Sequence, residues 1–141
     1  MLTTKSLDKS KCLQVINDFF KECQVWCGPA ARVPSVSEIE KHLSKNFQLY
    51  NNGHLVARSA VNYLERLQKF QKKYSSFKIS QPIEEPLILD NQVAMYYQLD
   101  LTTKTNQHKT VYIMGLGTIE DNKISKWVEV TNEKGAGNWD S

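Results

Sequence analysis

The sequence predicts an α+β fold in which a strongly curved antiparallel sheet wraps helices gathered towards the N-terminus. Three observations carry that prediction. Apolar residues recur at three- and four-residue steps in two long segments of the first half, the mark of amphipathic helices. After Ser75-Ser76 the period changes to two and stays there. The alternating segments that follow are separated by short polar turns, so consecutive strands become antiparallel neighbours. Helices segregated onto one face of such a sheet define the α+β class. At 141 residues the chain is long enough for one domain with a proper core and short for two. We therefore read a single domain over 1–141, with its core at about 7–131 and a loose tail at 132–141.

The first helix is expected over about 7–27, where Cys12, Ile16, Phe19, Phe20, Cys23 and Trp26 make the apolar stripe. Glycine and two prolines in "CGPAARVP" end it. Ser35 and Glu38 have the capping-box spacing, which predicts a short helix over about 36–44 with His42 on its polar side. "NFQLYNNGH" reads as a short strand closing in a turn at Asn51, Asn52 and Gly53. Ser59 is the expected N-cap of the second long helix, whose stripe is Tyr63, Leu67, Phe70 and Tyr74, widened by Ala60 and Leu64. Arg66, Lys69, Lys72 and Lys73 on the opposite side read as a solvated face rather than a phosphate site.

Beyond Ser76, "FKISQPIEEPLIL" reads as one bulged or edge strand because of Pro82 and Pro86. Asp90-Asn91 turns into "QVAMYYQLDLTT", which puts Val93, Met95, Tyr97, Leu99 and Leu101 on one face. "KTVYIMGLGTIE" is apolar on both faces and reads as central. Gly115 and Gly117 share one face of it; either a helix packs closely there or the sheet curves round a cavity. In the last strand, Ser125, Trp127, Glu129 and Thr131 should face one way and Ile124, Lys126, Val128 and Val130 the other.

Several function classes drop out on composition. A net charge of +3 is too mild for a nucleic-acid-binding balance. No apolar run approaches the roughly 20 residues of a membrane span, and the N-terminus lacks the apolar core of a secretory signal, so a cytoplasmic protein is expected. Cys12, Cys23 and Cys27 are odd in number, which argues against a disulfide framework. Cys23 and Cys27 could ligate a metal, but no histidine or further thiol lies near in sequence, and the reading taken is buried reduced thiols. His42, His54 and His108 are not spaced as a metal set. With no nucleotide-binding glycine loop, zinc motif or nucleophile elbow either, no metal and no cofactor is expected.

What remains is a modest polar constellation: Glu129, Trp127 and Thr131 on the last strand, Tyr97 two strands earlier, Tyr50 and His54 from the first strand and its turn. A carboxylate in apolar surroundings has a raised pKa and serves as general acid or base. A tyrosine hydroxyl can donate to a developing enolate oxygen. These are parts for proton abstraction beside a carbonyl, for dehydration or for aldol closure. The plainer alternative makes Glu129 a surface ion-pair partner and the tyrosines core.

The order of elements, with "GHLVARSAVNYLERL" and the closing "EDNKISKWVEVTN", resembles the nuclear transport factor 2-like superfamily and, within it, the SnoaL-like branch. Gly53 ahead of Ser59 matches the glycine these proteins carry before the long helix. Asp121, Asn122, Lys123, Ile124 and Trp127 match their ending of a turn, a lysine-isoleucine pair and an aromatic. The resemblance covers about 7–131 and implies a cone, or cystatin-like roll, whose curved antiparallel sheet and helices enclose a mainly apolar pocket. It implies a homodimer formed through the outer sheet face. It also implies activities among polyketide cyclases, ketosteroid isomerases, dehydratases and epoxide hydrolases, or none. SnoaL-like cyclases carry an acidic residue four positions after the last-strand aromatic; here that position is Thr131, which cannot do the job. Glu129 lies one step earlier on the same face, about 6 to 7 Å along the strand.

The expectation is a pocket protein for an unknown small hydrophobic or carbonyl-bearing molecule, with acid–base isomerase, dehydratase or cyclase chemistry. Glu129 would be the acid or base, Tyr97 or Tyr50 the hydroxyl donor, Trp26 and Trp127 the apolar walls, and His54 and Thr131 further ligand contacts. The alternative is a non-catalytic module that uses the same cone to bind a ligand or to dimerise. No nucleic acid or membrane partner is expected.

Overall fold

A computed structural model describes residues 8–28, 32–80 and 86–134. Helices α1 (Lys9–Trp26), α2 (Val36–Glu40) and α3 (Ala60–Lys73) cover one face of a seven-stranded sheet, giving the expected α+β cone. The strands are β1 (Leu43–Asn51), β2 (His54–Ala57), β3 (Tyr74–Ile79), β4 (Leu87–Leu89), β5 (Gln92–Thr103), β6 (His108–Glu120) and β7 (Lys123–Glu133). Their order is β2-β1-β7-β6-β5-β3, with β4 also paired to β5.

The two long helices form where the periodicity places them, except that Tyr74, expected in the stripe of the second, opens β3. α1 buries Cys12, Ile16, Phe19, Cys23 and Trp26, and the Asp8 side chain caps it by accepting from Ser10 N at 3.0 Å. Ser35 and Glu38 complete a capping box on α2. The Ser59 hydroxyl accepts from Asn62 N at 3.0 Å to start α3, while the Asn62 side-chain Oδ1 accepts from Arg58 N. α2 stops at Glu40 rather than near residue 44, because Leu43 is fully buried as the first residue of β1. His42 is accordingly not on a helical polar face; it is half-buried with its ring 6.0 Å from Phe19 and 6.3 Å from Trp26.

The sheet departs from expectation in three places. β1 pairs with β7 in parallel, so the sheet is mixed rather than wholly antiparallel. A parallel neighbour needs a long connection, and everything from β2 to β6 supplies it. "HLVA" is a strand, β2, joined to β1 by the Asn52-Gly53 turn. The single edge strand expected between Phe77 and Leu89 is two strands, β3 on the far half of β5 and β4 on the near half. Residues 81–85, including Pro82, and the tail from 135 lie outside the described residues; β7 itself runs to Glu133, past the expected core boundary. Turn residues Asn52, Asp90, Asn106, Asp121 and Asn122 all take positive φ, the conformation that asparagine and aspartate tolerate best among residues with a side chain.

A bulge alters the faces of β7. Thr118 pairs with Lys126 but Ile119 pairs with Ile124, leaving Ser125 extra. Ser125 Oγ donates to the Thr118 carbonyl instead, and Ile124 turns inward to 1% exposure on the same side as Trp127. Strict alternation therefore misassigns Ser125 and Ile124. The two β6 glycines are explained by Trp127, whose indole lies across them; a Cβ on Gly117 would stand 2.7 Å from Trp127 Cζ3 and 3.9 Å from Ile16 Cδ1 of α1.

Candidate functional site

The concave face of the sheet and helices α1 and α3 enclose a cavity of about 240 Å³. Alternation sends Phe47, Leu49 and Asn51 of β1 into it, and Tyr97, Leu99 and Leu101 of β5. β7 adds Ile124, Trp127, Glu129 and Thr131; α1 adds Phe19, Phe20 and Cys23; α3 adds Tyr63 and Arg66. The lining is apolar for most of its extent. Aromatic rings fix its shape: Phe20 stands 5.2 Å from Tyr97 and edge-on to Trp127 at 5.9 Å, and Tyr63 packs between Phe19 and Phe47 at 5.8 and 5.9 Å.

Among the described residues Glu129 is the one carboxylate in this lining. Its Cα partners are Gly115 on β6 and Asn51 on β1, and its carbonyl accepts from Asn52 N at 2.9 Å. Burial raises its pKa above the ordinary glutamate value; the Asn51 side chain, the Arg66 charge and the Trp127 indole N–H pull the other way without cancelling it. Tyr97 and Tyr63 are pushed well above the usual phenol value, in both cases first by burial. For Tyr97 the next cause is the Glu129 charge; for Tyr63 it is Cys23, whose Sγ lies 3.7 Å from the Tyr63 hydroxyl. Both phenols thus remain donors at neutral pH. Burial likewise raises all three thiols, Cys27 to about 12, so none is a nucleophile there. Among the described residues no cluster of three or more metal-ligating side chains occurs, and no helix is long and apolar enough to cross a membrane.

Of the residues singled out in the sequence, Glu129, Tyr97, Trp127 and Thr131 come together at the cavity. Tyr50 does not: it lies between inward Leu49 and Asn51 and so points to the outer face, where Lys126 Nζ stands 5.4 Å above its ring. His54 is exposed on β2, away from the cavity. Trp26 is wholly buried in the core beside Phe19 and His42, not in a cavity wall, and its Nε1 finds no partner among the described residues. Sequence reasoning passed over Asn51, Tyr63 and Arg66 as site residues. Asn51 was legible in principle, since it shares parity with Phe47 and Leu49, and Arg66 sits three residues from Tyr63, one helical step along α3.

No protein-family profile matches the sequence, and no curated protein matches it either. Solved structures do match. An NTF2-like protein from Anabaena variabilis is 12% identical and superposes with a TM-score of 0.70 over 98% of this chain and 99% of its own. A candidate SnoaL-like polyketide cyclase from Jannaschia is 10% identical, with a TM-score of 0.70 over 93% and 92%. An LEH-like epoxide hydrolase from M. tuberculosis is 13% identical, with a TM-score of 0.69 over 87% and 84%. At such identities the likeness is one of fold.

Proposed function

Because the chain has the nuclear transport factor 2-like fold, in the form it shares with SnoaL-like proteins, we propose that it binds a small apolar, carbonyl-bearing molecule and moves a proton on it. The observation that carries the reading is Glu129: a single carboxylate, its pKa raised by burial, in an otherwise largely apolar cavity beside the Tyr97 phenol. A carboxylate whose pKa burial has raised works as general base when ionised and as general acid when protonated. Tyr97, held neutral, donates to the carbonyl oxygen as enolate charge develops there. Phe20, Leu99 and Ile113 exclude water around the ligand body. Isomerisation, dehydration and aldol-type ring closure all begin with this proton transfer; the chemistry names the class, not the substrate.

The outer sheet face supports a partner proposal: the chain forms a homodimer through it. Met114 and Val130, cross-strand partners, are 53% and 61% exposed there with Leu116 beside them, and contiguous exposed apolar side chains favour a protein partner. Three buried free thiols fit a cytoplasmic, reducing location.

The test is α-proton exchange in heavy water with cyclohexanone, tetralone and a long-chain methyl ketone, followed by NMR. Wild type should speed exchange of at least one ketone, and Glu129→Gln should remove about a hundredfold of that or more, the scale of a lost general base. The circular dichroism spectrum should be unchanged. Exchange at the buffer rate with every ketone would turn the assignment to a module without chemistry.

A further inference from the structure

We propose that Gly115 and Gly117 are positioning residues of the cavity: they form a side-chain-free floor on which the Trp127 indole lies flat, and that orientation aims the indole N–H at the Glu129 carboxylate. The inference rests on reading Glu129 as the acid–base group of the site.

Two glycines in the middle of a central strand weaken it, since each forgoes packing and loses more backbone freedom on folding than any other residue. Their geometry supplies the compensation. Gly117 is the cross-strand partner of Trp127, and Gly115 that of Glu129. A Cβ on Gly117 would meet Trp127 Cζ3 and Cε3 at 2.7 and 2.8 Å, and one on Gly115 would press closest on Cζ2, with Cε2 at 2.9 Å and Cη2 at 3.2 Å. The six-membered ring of the indole thus lies across both glycines, its Cζ3–Cε3 edge against Gly117 and its Cζ2–Cε2 edge against Gly115. Cε2 is bonded to Nε1, so the N–H lies at the Gly115 end, alongside Glu129. Phe20 stands edge-on to the indole, at 5.9 Å and 78°.

The consequence follows from what an indole can do. Its N–H donates and never accepts, so it can hold one carboxylate oxygen and cannot take the proton. Asn51 also partners the carboxylate, and a lone pair that these donors leave free exchanges a proton with the ligand. The other groups facing Glu129 are Asn51 from β1, Arg66 and Tyr63 from α3, Tyr97 from β5 and Cys23 from α1. Asn51 and Arg66 also favour the ionised form, so Trp127 is one of three aids and its removal shifts, rather than abolishes, the titration.

The experiment is an NMR titration of the ligand-free protein, which makes it independent of any turnover. The Glu129 carboxyl carbon is assigned by its loss in Glu129→Gln, the Trp127 indole N–H by its loss in Trp127→Phe. In wild type both resonances should move with one midpoint. Trp127→Phe, which keeps an aromatic ring and removes the donor, should move the Glu129 midpoint upward. Gly115→Ala should move it the same way and add nothing to Trp127→Phe, because the glycine acts through the indole. A Trp127 resonance that ignores the Glu129 titration, or an unmoved midpoint in Trp127→Phe, overturns the proposal. Should Gly115→Ala fail to fold, its stability cost is compared in a Trp127→Leu background. Rescue there supports the floor; an equal loss in both backgrounds refutes it. A negative ketone-exchange result with a coupled titration would sink the acid–base reading while leaving the Trp127–Glu129 pairing intact.

Discussion

Glu129 shows how much a single side chain's surroundings decide. Its place two residues beyond Trp127 was legible from strand alternation, whereas only membership of the first strand and its turn pointed to Tyr50. Parity with Phe47 and Leu49 points to Asn51 instead, and the register of β1 on β7 sets Asn51 opposite Glu129. A one-residue difference in phase separates a cavity residue from an outer-face one. The raised pKa of Glu129 also has a thermodynamic signature. Its folded value lies above its unfolded value, so as pH rises the unfolded chain ionises first and native stability falls until the folded midpoint is passed. Well below the ordinary glutamate range both states are protonated and nothing is lost. Glu129→Gln removes the penalty. Its melting temperature should gain on wild type as pH rises from acid through the folded midpoint, and the gap should then stay level. Thermal melts across pH test this; a gap independent of pH would contradict the desolvated carboxylate.

At the level of elements, local chemistry predicted the helices and turns well and strand partnership poorly. The stripes of α1 and α3, both predicted caps and the asparagine and aspartate turns depend on neighbours within a few residues, which a sequence displays directly. β2, the split of β3 from β4 and the Ser125 bulge depend on which distant strand lies alongside. A bulge leaves no compositional mark when the extra residue is an ordinary serine. Capping offers a clean test, because the Ser59 hydroxyl is the acceptor for Asn62 N at the start of α3. Ser59→Ala should destabilise by about 1 kcal/mol, read as a lower urea midpoint at unchanged slope. Gln71 gives α3 a second tie, donating from Nε2 to the carbonyls of Trp26 and Arg32 at 2.9 Å each, which holds the end of α1 against the approach to α2.

For the whole molecule, the sheet has two unlike faces. The concave face is closed by helices and holds the cavity; the convex one carries Met114, Leu116 and Val130, exposed among the described residues. The cone was legible because helices clustered early and tight turns clustered late, yet neither feature indicates which sheet edge remains free. If the convex face joins two copies, Met114→Glu with Val130→Lys should give a monomer by light scattering while cavity-dependent behaviour persists. A wild-type chain already monomeric at micromolar concentration would remove the dimer proposal.

The parallel ladder between β1 and β7 has a consequence for how the chain reaches its shape. The strand nearest one end of the sequence waits for the strand nearest the other, and five strands are made in between. On the ribosome, α1 and β1 emerge long before the partner that completes their side of the core, so Leu43, Phe47 and Leu49 stay uncovered until synthesis of β7 is done. Such distant pairing favours slow, late, all-or-none closure. A chain interrupted before residue 123 should therefore leave no stable N-terminal piece, only a sticky fragment suited to capture by chaperones.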